Sequence, residues 1–155
     1  MTTMKIGPTK SEDISALKMI VEKTELFPSE MLPDMLSSFL SAEESKDIWL
    51  TCEDDRTAIG FCYAAPEPLA EGTWNMLAIA VSPPKQGAGV GAAIVEKLES
   101  VLRERGHRVL IADTSGTDPF RQTREFYRKN GYTEEARIRD FWGEGDDKVI
   151  FWKRL

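Results

Sequence analysis

Apolar residues change their spacing repeatedly along the chain, and each change marks an element. Met4–Pro8 reads as a short first strand. After Ser11, the residues Ile14, Leu17, Ile20 and Val21 recur at helical spacing. Ser11 can cap that helix, and Glu12 and Asp13 suit the positive end of its dipole. A second helix over Ser29–Leu40 turns Met31, Met35, Leu36, Phe39 and Leu40 inward and places Pro33 in its first turn, where no amide hydrogen is needed. Beyond Asp47 the period shortens. Ile48–Cys52 and Ala58–Ala64 are short apolar runs on either side of Glu53–Arg56, the pattern of a hairpin. Trp74–Val81 is apolar almost throughout, as expected of a central strand covered on both faces. Ser82-Pro83-Pro84 stops it.

The clearest helix spans Ala88 to Arg105, with Gly91, Ile94, Val95, Leu98, Val101 and Leu102 on one face and Glu96, Lys97, Glu99 and Arg103 on the other. Gly106 closes it, and Arg108–Ala112 is a further buried strand. Asp118-Pro119 supplies a cap with proline at the first helical position, opening a helix that runs to Lys129. Asn130-Gly131 is its left-handed stop. Two more strands lie near Tyr132–Ile138 and Lys148–Trp152, joined by the acidic loop Gly143–Asp147. The predicted order is one strand, two helices, three strands, helix, strand, helix and two strands, a mixed α/β sheet. No repeat and no linker-like tract divides it, so residues 1–155 are expected to form a single domain.

Composition narrows the function classes. A chain of 155 residues with 41% hydrophobic and 30% charged residues can bury a real core. Its net charge of -6 argues against a nucleic-acid binder and favours cationic partners. One histidine, His107, and two cysteines, Cys52 and Cys62, leave no Cys/His zinc site, and no metal is expected. No run is long enough to span a membrane, and Met1–Ile6 lacks a leader pattern. The expectation is a cytoplasmic protein with reduced thiols and neither membrane nor nucleic-acid partners. His107 is expected at an exposed turn, and Cys52 and Cys62 as buried thiols on neighbouring strands.

The segment richest in chemistry is Pro83-Pro84-Lys85-Gln86-Gly87-Ala88-Gly89-Val90-Gly91-Ala92, set between a strand and a helix. Alternate glycines let backbone N–H groups turn toward one point without Cβ obstruction. The start of a helix adds open amides and a favourable dipole. A dipole contact is worth only about 0.3–1 kcal/mol when exposed, so several amides must act together. This chemistry fits a phosphate or a diphosphate, and does not itself choose the carrier. A P-loop is excluded because no Gly-Lys pair exists. A dinucleotide-binding turn remains open: Gly87-x-Gly89-x-x-Ala92 fits its glycine pattern, and Asp113 ends a later strand at the appropriate distance. Against it, Ser82–Gln86 separates the strand from the first glycine, where that turn should be tight. A turn that merely begins a helix is the plain structural reading.

Gln86-x-x-Gly89-x-Gly91, preceded by Leu77–Pro83, resembles the acyl-CoA-binding motif of the GNAT superfamily of N-acyltransferases, Arg/Gln-x-x-Gly-x-Gly/Ala. Phe126-Tyr127-Arg128-Lys129-Asn130-Gly131-Tyr132 is similar to that family's helix-then-strand signature. The element order agrees too. The resemblance implies a single domain with a mostly antiparallel central sheet flanked by helices. It also implies an acetyl-CoA-dependent N-acetyltransferase acting on a small-molecule or peptide amine, and leaves a homodimer open. It places the main chain of Ile79, Ala80 and Val81 along the pantetheine arm. The amides of Gln86, Gly87, Ala88, Gly89, Val90, Gly91 and Ala92 fall around the diphosphate. Tyr127 falls where the family's general acid stands. Where the family often carries Asn, Phe120 stands here, and Thr123 or Arg121 would supply the polar contact instead.

A phenol holds its proton at neutral pH and can deliver it to a thiolate, so the role for Tyr127 is chemically sound. The plain alternative is a core aromatic beside Phe126; neighbouring helical residues point about 100° apart, so both rings cannot face one core. Asp113 is the best-placed carboxylate to meet an ammonium group, with Asp140 and Glu25 behind it, and it could equally cap the Thr114–Gly116 turn. Phe27, Trp74, Phe141 and Trp142 could wall an acceptor pocket or be core. A non-catalytic CoA-binding module also fits the same motif.

Overall fold

The computed structural model describes residues 4–41 and 45–155. Residues 1–3, part of the segment read for a leader, lie outside them. The strands are β1 (Met4–Pro8), β2 (Ile48–Asp54), β3 (Thr57–Pro66), β4 (Thr73–Val81), β5 (Val109–Ser115), β6 (Thr133–Gly143) and β7 (Asp146–Arg154). The helices are α1 (Ile14–Thr24), α2 (Leu32–Leu40), α3 (Val90–Glu104) and α4 (Arg121–Lys129). The order is the one the sequence pattern predicts. Hydrogen bonding links the strands as β1-β2-β3-β4-β5-β7-β6. The β4–β5 pair is parallel, while β1–β2, β2–β3, β5–β7 and β6–β7 are antiparallel. This is the mixed, mostly antiparallel α/β fold expected. A dinucleotide-binding half requires successive parallel strands, so the antiparallel β5–β7 pair rules that alternative out. No helix among the described residues is long and apolar enough to cross a membrane, and no group of three or more His, Cys, Asp or Glu there could hold a metal.

Two compact units divide the chain, Met1–Ala65 with Leu77–Val101, and Pro66–Met76 with Leu102–Leu155. In the first, α1 buries Leu17, Ile20 and Val21, and α2 buries Leu32 and Leu36, against Trp49, Phe61, Ala78 and Ala80. Each fully buried leucine contributes about 1.5–3 kcal/mol. Trp49 stacks on Phe61 at 5.9 Å and on Tyr63 at 4.3 Å. The two-residue turn between β2 and β3 has Asp55 and Arg56 at φ 51° and 65°, the left-handed pair that matches strand twist. Cys52 and Cys62 are buried as expected, and burial pushes the Cys62 thiol up to about 12.

Helix starts differ from the sequence expectation for one local reason. α1, α2 and α4 are each entered through a 3-10 turn, at Ser11–Asp13, Ser29–Met31 and Asp118–Phe120. Tighter winding shifts the phase of the helical residues after it. Met31 is therefore exposed and Leu32 takes the inward place. Ser11 opens a turn instead of capping a helix; Asp13 stands at the N-cap of α1 without a side-chain cap hydrogen bond, and its Oδ2 reaches back to accept the Lys10 amide at 2.8 Å, closing the 3-10 turn. Asp118 likewise begins a turn and does not cap α4. On α3, Glu99 is buried with Ile94, Val95 and Leu98, against its expected polar-face position.

In the second unit, α4 buries Tyr127. Asn130 ends the helix and Gly131 comes next at φ 89°, as predicted. His107 is half-buried against the Trp74 ring at 5.2 Å, not exposed. The predicted acidic loop is shorter than expected, because β6 continues to Gly143 and β7 begins at Asp146. Every one of the 11 residues of β6 is exposed, and its pairing with β7 slips at Glu134/Ala136 and Ile138/Gly143.

Candidate active site

The segment after β4 is braced from three sides. Ser82 donates its amide to the Ile59 carbonyl at 2.7 Å, tying the strand's end to β3. Pro83–Lys85 forms a 3-10 turn closed by Lys85 N–H to the Ser82 carbonyl at 2.8 Å. Lys85 Nζ pairs with Asp54 Oδ2 at 3.4 Å. Gln86 is part of the brace: its amide is given to the Pro83 carbonyl at 3.2 Å, and its side-chain Nε2 to the Val81 carbonyl at 3.0 Å. The sequence motif puts the Gln86 amide among the diphosphate donors. The structure gives that amide to the turn instead.

Beyond the brace the backbone opens. Gly87 and Gly89 hold φ of 79° and 83°, and a Cβ at either would meet no atom within 4 Å. The left-handed conformation explains why glycine stands there, and the open space leaves room for a ligand against the backbone. Gln86, Gly87, Ala88 and Gly89 are exposed or half-exposed, Val90 is buried, and Gly91 and Ala92 are half-buried in the first turn of α3. The Ala93 amide is the first to reach back, to the Gly89 carbonyl at 3.0 Å. Amides ahead of it have no carbonyl one turn behind them. Gly60 sets α3 close to β3, since a Cβ there would come within 3.0 Å of Ile94 and 3.1 Å of the Ala80 carbonyl. On β4, Ala80 points into the core cluster while Ile79 and Val81 are half-buried. Phe27 packs against that same cluster. The first unit thus brings together the strand end, the glycine turn and the helix start that the sequence singles out.

Tyr127 lies in the second unit. Its ring is 3% exposed and meets Phe126 at 5.5 Å, Tyr132 at 5.7 Å and Phe151 at 5.2 Å. Arg124 steadies the start of α4 by donating to the carbonyls of Ser115 at 2.8 Å and Thr117 at 2.7 Å. Phe120 and Arg121 are exposed and Thr123 half-buried.

Asp113 does not cap the turn after β5. Ser115 does, its Oγ accepting the Thr117 amide at 3.0 Å. Asp113 instead joins a polar cluster in which Asn75 is buried and Glu67, Asp113 and Lys148 are half-buried. Its Oδ2 accepts from Asn75 Nδ2 at 3.3 Å and pairs with Lys148 Nζ at 3.3 Å, and Asn75 Nδ2 also donates to Glu67 Oε1 at 2.9 Å. Lys148 Nζ lies 4.2 Å from the Phe141 ring centroid. Phe141 and Trp142 meet edge to face at 4.7 Å, exposed at 48% and 51%, and Trp142 Nε1 donates to the Thr114 carbonyl at 3.3 Å. Trp74, by contrast, is core. Asp140 and Glu25 serve the backbone: Asp140 Oδ1 accepts the Gly145 amide at 2.9 Å, and Glu25 is the left-handed cap of α1. Sequence reasoning missed Glu67, Asn75 and Lys148. The one signal available was a lone Asn inside an otherwise apolar strand.

Residues 15–132 match the profile of the Acetyltransferase (GNAT) family. No curated protein matches the sequence significantly. Among solved structures, the chain is similar to a Desulfovibrio desulfuricans protein assigned to the GNAT acetyltransferases, at 26% identity and a TM-score of 0.90, with 99% of each chain covered. It is also similar to the ribosomal-protein-S18-alanine N-acetyltransferase of Escherichia coli, at 18% identity and TM-score 0.79, covering 99% of this chain and 94% of that one. A PaiA N-acetyltransferase from Thermoplasma acidophilum, solved in complex with coenzyme A, shares 16% identity at TM-score 0.73, with 99% of each chain covered.

Proposed function

The chain belongs to the GNAT acetyltransferase family, and on that basis we propose that residues 1–155 act as one catalytic domain. It moves an acetyl group from acetyl-CoA to the primary amine of a small-molecule or peptide acceptor, within a ternary complex. The observation that carries this reading is the glycine turn ahead of Ala93, whose residues fit a diphosphate: open backbone at Gly87 and Gly89, and helix-start amides with no carbonyl to reach. A coenzyme A complex of the Thermoplasma acidophilum relative supports the choice of carrier.

In this reading Gly87 through Ala92 hold the diphosphate, and Gln86 keeps the turn in shape. Main-chain groups of Ile79, Ala80 and Val81 bond the pantetheine arm as an added strand does, and Thr123 offers it a hydroxyl. Acetyl-CoA supplies a thioester carbonyl that a neutral amine attacks directly, so no covalent enzyme intermediate is needed. Main-chain N–H groups on β4 steady the oxyanion. Tyr127 gives its proton to the departing thiolate.

Calorimetry with coenzyme A tests the premise: saturable binding is expected, and none would reject it. A thiol-release screen across an amine panel separates an enzyme from a non-catalytic CoA-binding module. Tyr127→Phe keeps the ring and removes the proton, so turnover should fall by about 10²–10⁴-fold with coenzyme A affinity retained. An unchanged rate removes Tyr127 from the mechanism.

A further inference from the structure

The cluster around Asp113 is short of donors. Asn75 is only 7% exposed, and its nitrogen is already shared between Glu67 and Asp113. Its oxygen, Oδ1, and the second Asp113 oxygen, also Oδ1, are both buried with no hydrogen-bond partner. Each is bonded to the same carbon as an atom of the Asn75–Asp113 hydrogen bond, so both bare acceptors belong to one hydrogen-bonded pair of side chains. Buried acceptors are seldom left without a donor, because nothing repays their lost hydration. Water or an N–H-bearing ligand could fill such a gap.

A cation already stands beside it. Lys148 Nζ sits 3.3 Å from Asp113 Oδ2 and 4.2 Å from the Phe141 ring centroid. A carboxylate facing an aromatic ring is a good receptor for an ammonium group. Here the ammonium belongs to the chain itself. We infer that this is the docking seat of the acceptor's ammonium group, held here before it gives a proton to water and attacks as the neutral amine, with Lys148 as its place-holder. An incoming primary ammonium displaces Lys148 from Asp113, gives its N–H donors to Asn75 Oδ1 and Asp113 Oδ1, and keeps Phe141 as a wall. The Lys148 side chain is 19% exposed and that of Asp113 13%, so withdrawal of the lysine opens the path to the carboxylate. The seat selects cations that carry N–H donors; charge alone does not satisfy the bare oxygens. Naming the occupant as the acceptor rests on the transferase reading, whereas the binding itself needs no cofactor.

Titrating the ¹⁵N-labelled full chain with ethylammonium chloride tests this directly. The Asn75 side-chain amide and the Trp142 indole N–H signals should shift saturably, and tetramethylammonium chloride, which has the charge without the donors, should not move them. Asp113→Asn should weaken ethylammonium binding by about tenfold or more, since a hydrogen bond to a charged group is lost. Lys148→Met, which removes the place-holder and keeps the stem, should tighten it several-fold. Equal shifts from both salts mean screening only and overturn the proposal. No shift at all, the result expected of a permanently bound water, overturns it too, and unaltered affinity in Lys148→Met removes the place-holder. Coenzyme A binding measured on the same preparation keeps the two readings apart: coenzyme A without ethylammonium binding sinks the seat alone, and the reverse sinks the transferase alone.

Discussion

Replacing Gly89 by alanine should separate the backbone cost of the glycine turn from its use. At φ 83° an alanine pays about 1–2 kcal/mol for the left-handed conformation. It recovers about 0.4–1 kcal/mol because the unfolded chain loses freedom. No atom lies within 4 Å of the added Cβ, so no steric clash adds to this. The net loss is about 1 kcal/mol, a fall in Tm of about 2–4 °C for a chain of this size. Gly106, between α3 and β5, is a matched control, with the same φ of 83° and equally empty space around a Cβ. Gly106→Ala should lose the same stability. Only Gly89→Ala should lose coenzyme A affinity, by about 10–150-fold if one amide contact to charged phosphate is lost. Calorimetry and thermal melts on both variants give the answer. Equal loss of affinity in the two, or full affinity in Gly89→Ala, would refute the assignment of the turn to the diphosphate.

The core and the surface charges each supply a further expected outcome. Leu36→Ala empties a fully buried site and should cost about 2–5 kcal/mol, read as a lower urea midpoint at unchanged slope. The Asp147 carboxyl is held below its usual range by the Asp140 amide first and then by Arg137. A depressed folded value means that its contribution is complete above the ordinary aspartate value of 3.8 and is lost as pH falls through the lower folded value. The stability gap between the native chain and Asp147→Asn should therefore shrink as unfolding is monitored from pH 7 to pH 3, and a gap independent of pH would contradict it.

Element order was readable because hydrophobic period is a local property, visible within a dozen residues of Ile48–Cys52 or Ile94–Leu102. Helix starts were less so. A 3-10 turn and the first turn of an α-helix draw on the same residues, and only the tertiary setting chose Leu32 over Met31. Glu99 shows the same limit, since a charged residue on the helix's predicted polar face is buried by the tertiary fold. The glycine turn was legible because all its parts are contiguous. The Asp113 cluster was not, for Glu67, Asn75, Asp113 and Lys148 come from four stretches of chain. They meet only because β5 lies between β4 and β7.

The outermost strand, β6, carries a further consequence for solution behaviour. A long exposed margin of unpaired amides and carbonyls invites a second molecule to lay a strand along it, the first step toward fibrillar growth. Glu134, Glu135, Arg137, Arg139 and Asp140 load that margin with charge that a docking strand would have to dehydrate. The slips in its pairing with β7 interrupt the straight run such a template needs. Colloidal stability of this chain is thus written into its least protected segment, and neutral substitutions there would erode solubility while leaving the interior untouched.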